Sequence, residues 1–170
     1  MEEQNLSIKD AGLKFGLITG FGLILYALVL HLLGLAADQS FGWISYLILI
    51  TGLIYGINEY KKSNNGIMPY GKGLGVGTLI AAIAGSIDGF FTYLYVKFID
   101  DSIISIILEK QIESFEERGM DEEQIDQAIF WTEKFLTPAM MMFSAFFQFL
   151  FVGFILTLII AAIMKKTSDN

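Results

Sequence analysis

The sequence contains no cysteine and only one histidine. Without cysteine the chain can form neither a disulfide nor a thiolate metal site, and one histidine excludes a metal site built from several imidazoles. Lysine and arginine are also scarce, eleven against eighteen acids, and they form no basic stripe of the kind that binds nucleic acid. These absences lead us to expect no metal, no cofactor and no nucleic-acid partner.

Apolar residues make up 54% of the sequence and gather in four long stretches. A helix needs about 20 apolar residues to cross the ~30 Å core of a bilayer, and it satisfies its own backbone hydrogen bonds there. The second stretch is shorter, but the polar residues at its end can extend it to the interface. We therefore predict an all-α integral membrane protein, a four-helix bundle in one membrane domain over residues 1–170. The predicted transmembrane helices cover residues 13–35, 41–57, 74–98 and 138–164.

Lysines are distributed unevenly along the predicted bundle. The loop between the first two helices has none, whereas both termini and the loop between helices two and three carry several. Because lysine and arginine favour the cytoplasmic side, both termini are predicted to be cytoplasmic. The first apolar stretch follows acidic residues and is too long for a signal-peptide core, which predicts a retained helix. The lysines that decide the orientation are Lys9, Lys14, Lys61, Lys62, Lys72, Lys165 and Lys166.

Residues 100–137 form an acidic segment on the opposite, extracytoplasmic side. Residues 100–134 hold eleven of the eighteen acids and three of the eleven bases, a net charge of −8. Apolar residues recur at helical spacing on both sides of Gly119, and Asp121 with Gln124 matches a capping box. The segment is therefore predicted to be an insertion of two short helices. Its glutamates either bind a divalent cation weakly or form a solvated face, and the lack of a calcium-loop spacing favours the solvated face.

Small residues recur every four positions on the predicted helices. Close helix contact in lipid depends on such small residues, because the hydrophobic effect hardly drives association there. Packing within one bundle is the favoured interpretation, and a homodimer seam or a hinge in the third helix are the alternatives. The third helix carries the row Gly73, Gly77, Ala81, Gly85 and Gly89, and the first helix carries Gly12, Gly16 and Gly20.

Asp88 is the only acid inside a predicted span. A carboxylate at this depth costs roughly 3 kcal/mol or more, so an intramembrane ionisable group is a candidate functional residue. Matching residues by depth predicts a polar layer of Asp88, Gln148, Thr51 and Tyr26, with His31 nearer the outer surface. The carboxyl either holds helices together through hydrogen bonds or serves transport or proton relay. For His31, an interfacial role is favoured over titration beside Asp88.

Three motifs resemble those of an uncharacterised bacterial membrane family with four spans, domain of unknown function 4199. They are Tyr70-Gly71-Lys72, the run from Phe91-Thr92-Tyr93-Leu94-Tyr95 to Asp100, and Gly119-Met120-Asp121-Glu122-Glu123-Gln124-Ile125. The family often has proline after the position of Asp100, where this chain has Asp101. The resemblance implies a multi-pass protein of the bacterial cytoplasmic (inner) membrane, and it implies no activity.

No motif in the sequence predicts an enzyme, because neither a nucleophile–base pair nor a metal cluster is present. The first hypothesis is a non-enzymatic accessory or structural subunit whose acidic outer helices cap the bundle or meet a partner. The second is a small transporter or proton-coupled carrier that uses Asp88. The expected partners are the lipid bilayer and either a second copy of the chain or another membrane protein. A solvated cavity at Asp88 would favour the carrier, and a dry contact would favour the subunit.

Overall fold

The computed structural model describes residues 5–36 and 38–166, and within these ranges it is all-α. The domain predicted over residues 1–170 thus includes residues 1–4, 37 and 167–170, which lie outside the described residues. The helices are α1 (Ile8–Leu32), α2 (Gly42–Ser63), α3 (Tyr70–Phe98), α4 (Ser102–Glu117), α5 (Glu122–Phe135) and α6 (Pro138–Met164), with a 3₁₀ turn at Gln39–Phe41 before α2.

Capping residues set the ends of α1. The Ser7 hydroxyl oxygen accepts a hydrogen bond from the Asp10 backbone N–H at 3.1 Å, so the helix begins at Ile8 rather than at residue 13. Gly34 has a φ of +69°, a conformation that glycine adopts readily and that terminates helices. The helix therefore ends at Leu32, before the predicted residue 35.

Three of the helices in the described ranges, α1, α3 and α6, are long and apolar enough to cross a membrane. Helix α2 continues past the predicted end at residue 57 through a polar turn to Ser63. Lys61 and Lys62 lie in this last turn, where the negative end of the helix dipole favours cations. The polar turn lengthens α2 but lowers its mean hydropathy, so α2 is not among the helices that are apolar enough to cross a membrane by composition.

Helix α3 lies at the centre of the bundle. It packs most extensively against α6 and α1, and α2 contacts all three of these helices. The fully buried core includes Leu49 and Leu53 from α2 and Val76 and Ile80 from α3. The four long helices thus share one apolar core.

Hydrogen bonds gather the two chain ends and the α2–α3 loop at one end of the bundle. Met68 and Lys166 exchange two backbone hydrogen bonds of 2.8 and 2.9 Å. The Lys61 ammonium donates to the Met164 carbonyl oxygen at 2.8 Å, and the Asn64 side-chain amide donates to the Leu6 carbonyl oxygen at 3.1 Å. All four long helices therefore run alternately up and down between the same two ends.

Helices α4 and α5 form a hairpin in the segment between α3 and α6. Gly119 has a φ of +74° in the turn between them, and Asp121 and Gln124 form the predicted capping box that starts α5. Each of the two helices packs mainly against the other. The predicted pair of short helices is therefore present.

The small-residue row of α3 is filled by α6. A Cβ atom added at Gly85 would lie 2.9 Å from the Phe149 Cβ, and one added at Gly89 would lie 2.6 Å from the Met142 carbonyl oxygen. The same row of α3 contacts Ala161 at Gly73, Thr157 at Gly77 and Gly153 at Ala81. Contact within one chain therefore occupies the whole row.

The row of α1 meets a different face of α3. Leu79, Ile83 and Ile87 of α3 lie against Gly12, Gly16 and Gly20 respectively, and each would clash with an added Cβ. Large side chains of α3 thus pack against the small residues of α1. Side chains and backbone atoms of α6 pack against the small residues of α3. Two opposed rows let α3 approach both neighbours closely.

The outward faces of α1 and α6 carry large apolar side chains. Phe21 and Leu25 on α1 are 59% and 65% exposed, and Phe147 and Phe151 on α6 are 60% and 68% exposed. An apolar surface of this extent is unfavourable in water and marks contact with another apolar phase. These faces fit a hydrocarbon environment.

A candidate ligand site at Asp88

The four long helices line a partly open cavity of about 620 Å³. All four contribute to it: α1 through Tyr26, α2 through Trp43 and Tyr46, α3 through Asp88, and α6 through Gln148. The remaining lining residues are Leu23, Ala27, Leu30, Gly42, Ser45, Thr92, Ala145 and Phe149. The volume lies within the range of small-molecule sites.

Asp88 ends a buried apolar row on α3. Val76, Ile80 and Ala84 precede it at four-residue spacing, and each is fully buried, whereas Thr92 follows it and lines the cavity. Residues four apart share one face of a helix, so this face turns from apolar to polar at Asp88. The cavity therefore lies on one side of Asp88, towards Gly42 at the start of α2, and packed core lies on the other.

The Asp88 carboxyl has no hydrogen-bond partner among the described residues. It is half-buried rather than sealed, and it lines the cavity. A polar group in apolar surroundings costs free energy unless it is hydrogen-bonded, so this carboxyl needs water or a ligand as its partner. The arrangement is that of an available acceptor rather than of a structural hydrogen bond.

Two hydrogen bonds between elements brace the cavity wall. The Tyr26 hydroxyl donates to the Phe41 carbonyl oxygen at 2.8 Å and so ties α1 to the turn before α2. The Gln148 side-chain amide donates to the Tyr46 hydroxyl oxygen and ties α6 to α2. Each bond uses one donor, the Tyr26 hydroxyl proton and one Gln148 amide proton, that would otherwise be available to a ligand.

The structure brings together three of the four residues predicted for the polar layer, Asp88, Gln148 and Tyr26. Thr51 lies elsewhere, and its place in the layer was wrong. Its side chain is exposed, its hydroxyl donates to the Leu47 carbonyl oxygen at 2.8 Å, and it lines an apolar groove between α1 and α2. Matching by depth gives the height of a residue but not the direction of its side chain, which the rotation of α2 decides.

His31 does not join the cavity lining. Its Nδ1 donates to the Ala27 carbonyl oxygen at 2.8 Å, and its ring lies 4.0 Å from the Tyr95 ring, centroid to centroid. Hydrogen bonds from the Ser102 side chain and backbone lower the pKa of Asp100, and the charge of His31 lowers it slightly further. The histidine therefore interacts with Asp100, at the end of the bundle where α4 begins, rather than with Asp88.

Sequence reasoning missed several residues of the cavity. Thr92 was recognisable because it lies one turn beyond Asp88 on the same face, whereas the rotation of α2, which the sequence does not reveal, decides that Tyr46 lines the cavity. Trp43 and Phe149 gave no signal, because an aromatic residue near a helix end is equally typical of a membrane interface. No group of three metal-ligating side chains occurs in residues 5–36 and 38–166.

Comparison with known proteins places the chain in a family. A family model described as "Protein of unknown function (DUF4199)" matches residues 14–166. No curated protein and no solved structure matches the chain. The family that the three sequence motifs indicated is thereby confirmed, whereas the four spans and the bacterial source stay predictions. The match covers well over half of the sequence, and the chain therefore belongs to this DUF4199 family, whose function is unknown.

Proposed function

We propose that the chain is a small membrane carrier that binds its ligand, a proton or a cationic solute, at Asp88. The observation that supports this proposal is the cavity, which presents an unpartnered carboxyl between four helices. An intramembrane ionisable residue that faces a cavity is typical of ion and substrate pathways. We further propose that the chain is not an enzyme, since the cavity lining contains no nucleophile–base pair.

The proposal includes four membrane spans. Helix α2 has 22 residues, which corresponds to about 33 Å at ~1.5 Å per residue. It starts beside the end of α1, and near its far end Asn64 bonds to Leu6, which precedes α1. A helix that runs the full height between three membrane-spanning neighbours has to cross the same layer.

The proposed location is the bacterial cytoplasmic membrane, with both termini inside. Single cysteines in this cysteine-free chain provide the test, at Asn64 in the α2–α3 loop and at Gly119 in the α4–α5 turn. In sealed right-side-out vesicles, an impermeant maleimide should label the Gly119→Cys variant and leave the Asn64→Cys variant unlabelled. The reason is that basic loops stay in the cytoplasm whereas the acidic segment crosses. Labelling of Asn64→Cys alone would reverse the orientation.

Water access to the cavity tests the carrier directly. Thr92→Cys places a thiol in the lining, and Ala84→Cys places one two turns deeper, in fully buried core on the same helix. A small charged methanethiosulfonate reagent should modify Thr92→Cys at least about tenfold faster than Ala84→Cys, since thiol reactivity follows exposure. For a carrier whose site faces each side in turn, Thr92→Cys should also react in inverted vesicles.

The result that would reject the carrier is equal, slow modification of both thiols from both faces. It would mean that the cavity is filled by lipid or side chains in the membrane. If Thr92→Cys reacts only from the outer face, the cavity is a binding site and the transport part of the proposal is rejected. Gly71→Cys, an exposed position at the cytoplasmic end of the same helix, is the positive control for inverted vesicles, and Gly119→Cys is the positive control for right-side-out vesicles.

A second candidate function is that of an accessory subunit, with the α4–α5 hairpin as the contact to another membrane protein. It is favoured by the exposed aromatic residues on α5: Phe130, Trp131 and Phe135 are 53%, 58% and 62% exposed. Lys134 lies over the first two rings, 4.1 and 4.8 Å from their centroids. A cavity closed to reagents on both faces, together with a partner in constant ratio in native membranes, would select this function over the carrier.

A further inference from the structure

The cavity at Asp88 combines one carboxyl with an aromatic lining. Tyr26, Trp43, Tyr46 and Phe149 contribute four aromatic side chains, and the described lining residues include no lysine, arginine or histidine. Aromatic faces attract cations through their negative quadrupole, and a carboxylate attracts them directly. The electrostatic character of the cavity therefore opposes anions and favours positive charge.

The polar groups of the wall restrict the ligand further. Tyr26 is hydrogen-bonded to Phe41, and Gln148 is hydrogen-bonded to Tyr46, so these side chains stabilise the cavity wall. Asp88 remains as the charged group of the described lining, and no hydrogen bond within the described chain occupies its carboxyl. The Ser45 and Thr92 hydroxyls also line the cavity, but both are neutral, so Asp88 alone can pair with an ionic ligand.

A bare metal ion does not match the site either. Divalent cations take about six to eight oxygen ligands, and the lining offers a single carboxylate. No cluster of metal-ligating side chains exists in the part of the chain that the structure describes. The single carboxyl and the aromatic lining together fit a ligand that carries one positive charge on an apolar body.

We infer that the Asp88 cavity binds a lipophilic organic cation, such as a substituted ammonium or phosphonium compound. This inference rests on the proposed carrier and specifies its substrate class. The charge lies beside the Asp88 carboxyl, and the apolar substituents pack against the aromatic side chains. The ligand enters from the end of the cavity at which Trp43 stands, 58% exposed, at the start of α2.

Two probes of matched shape and opposite charge, tetraphenylphosphonium and tetraphenylborate, test the inference. Calorimetric titration of the purified full-length chain in detergent should give one saturable site for tetraphenylphosphonium. Asp88→Asn should weaken that binding at least about tenfold, because losing one partner of a desolvated charge pair is costly. Asp88→Glu, which retains the charge, should keep most of the affinity. Tetraphenylborate should bind equally and weakly to all three proteins.

Aromatic recognition is tested separately. Trp43→Leu should weaken tetraphenylphosphonium binding about three- to thirtyfold, the scale of a partly desolvated cation–π contact. Trp131→Leu is the matched control, because Trp131 lies on α5 and outside the cavity lining, and it should leave the affinity unchanged. Size-exclusion chromatography and circular dichroism should show that every variant remains folded.

Equal binding of the two probes, or binding that Asp88→Asn leaves unchanged, would overturn the inference and indicate simple hydrophobic partition. The modification rate of Thr92→Cys separates the two proposals, because it measures water access to the cavity and does not depend on the binding of tetraphenylphosphonium. Rapid modification with no saturable phosphonium binding would reject the substrate class and retain the carrier. Slowing of that modification by tetraphenylphosphonium is the expected result.

Discussion

Replacing Gly89 by leucine is expected to break the contact between α3 and α6. An added Cβ at this position would lie 2.6 Å from the Met142 carbonyl oxygen, which belongs to the backbone of α6 and cannot rotate away. Overpacking with a single methylene costs about 1–3 kcal/mol, so a leucine against backbone should cost at least about 3 kcal/mol. Unfolding in detergent, followed by circular dichroism, measures the loss.

Gly71→Leu is the matched control for this substitution. Gly71 lies on the same helix, and no atom lies within 4 Å of a Cβ built there. Leucine exceeds glycine in helix propensity by about 0.8 kcal/mol, so this variant should be as stable as the wild type or slightly more stable. Gly85→Leu should behave like Gly89→Leu, because Phe149 and the Phe146 carbonyl oxygen occupy its space. If Gly89→Leu is as stable as Gly71→Leu, α3 and α6 are not in contact at this height.

The Asp88→Leu variant should be more stable than the wild type and should no longer bind a cation. The carboxyl has no hydrogen-bond partner in the described chain, so its removal breaks no bond. A polar acid within a membrane span carries a cost of about 3 kcal/mol, and replacing it by leucine should recover part of that amount. Asp88 would then lower the stability of the fold while it binds the ligand, which is the usual trade-off between stability and function.

Asp88→Asn separates this expectation from a structural role. The amide keeps the shape of the side chain, so the free energy of unfolding should change by no more than about 1 kcal/mol, the scale of one interhelical hydrogen bond in a membrane. The midpoint of thermal unfolding in detergent, compared among the three proteins, checks both variants. A loss of stability well above that scale in both would show that Asp88 holds the helices together, and the cavity would lose its functional interpretation.

The sequence by itself determined the helical class, several helix boundaries, including both ends of α6, and the singular position of Asp88. Apolar runs longer than a bilayer core leave helices as the natural choice, because backbone groups in lipid need internal partners. Local chemistry set several ends as well: Thr137 and Pro138 start α6, and Asp121 with Gln124 starts α5. These signals depend on a few neighbouring residues and can therefore be recognised in the sequence before the tertiary structure is known.

The neighbours of each helix face were decided only by the tertiary structure. Depth counting put Thr51 at the right height, yet the rotation of α2 turned it into an apolar groove and turned Tyr46 and Trp43 towards Asp88. The glycine rows predicted close contact but not its partners, which proved to be α6 for one row and α3 for the other. Rotation about a helix axis depends on the packing of all four long helices at once. A pattern along one helix records which residues share a face, and only the assembled bundle decides what that face meets.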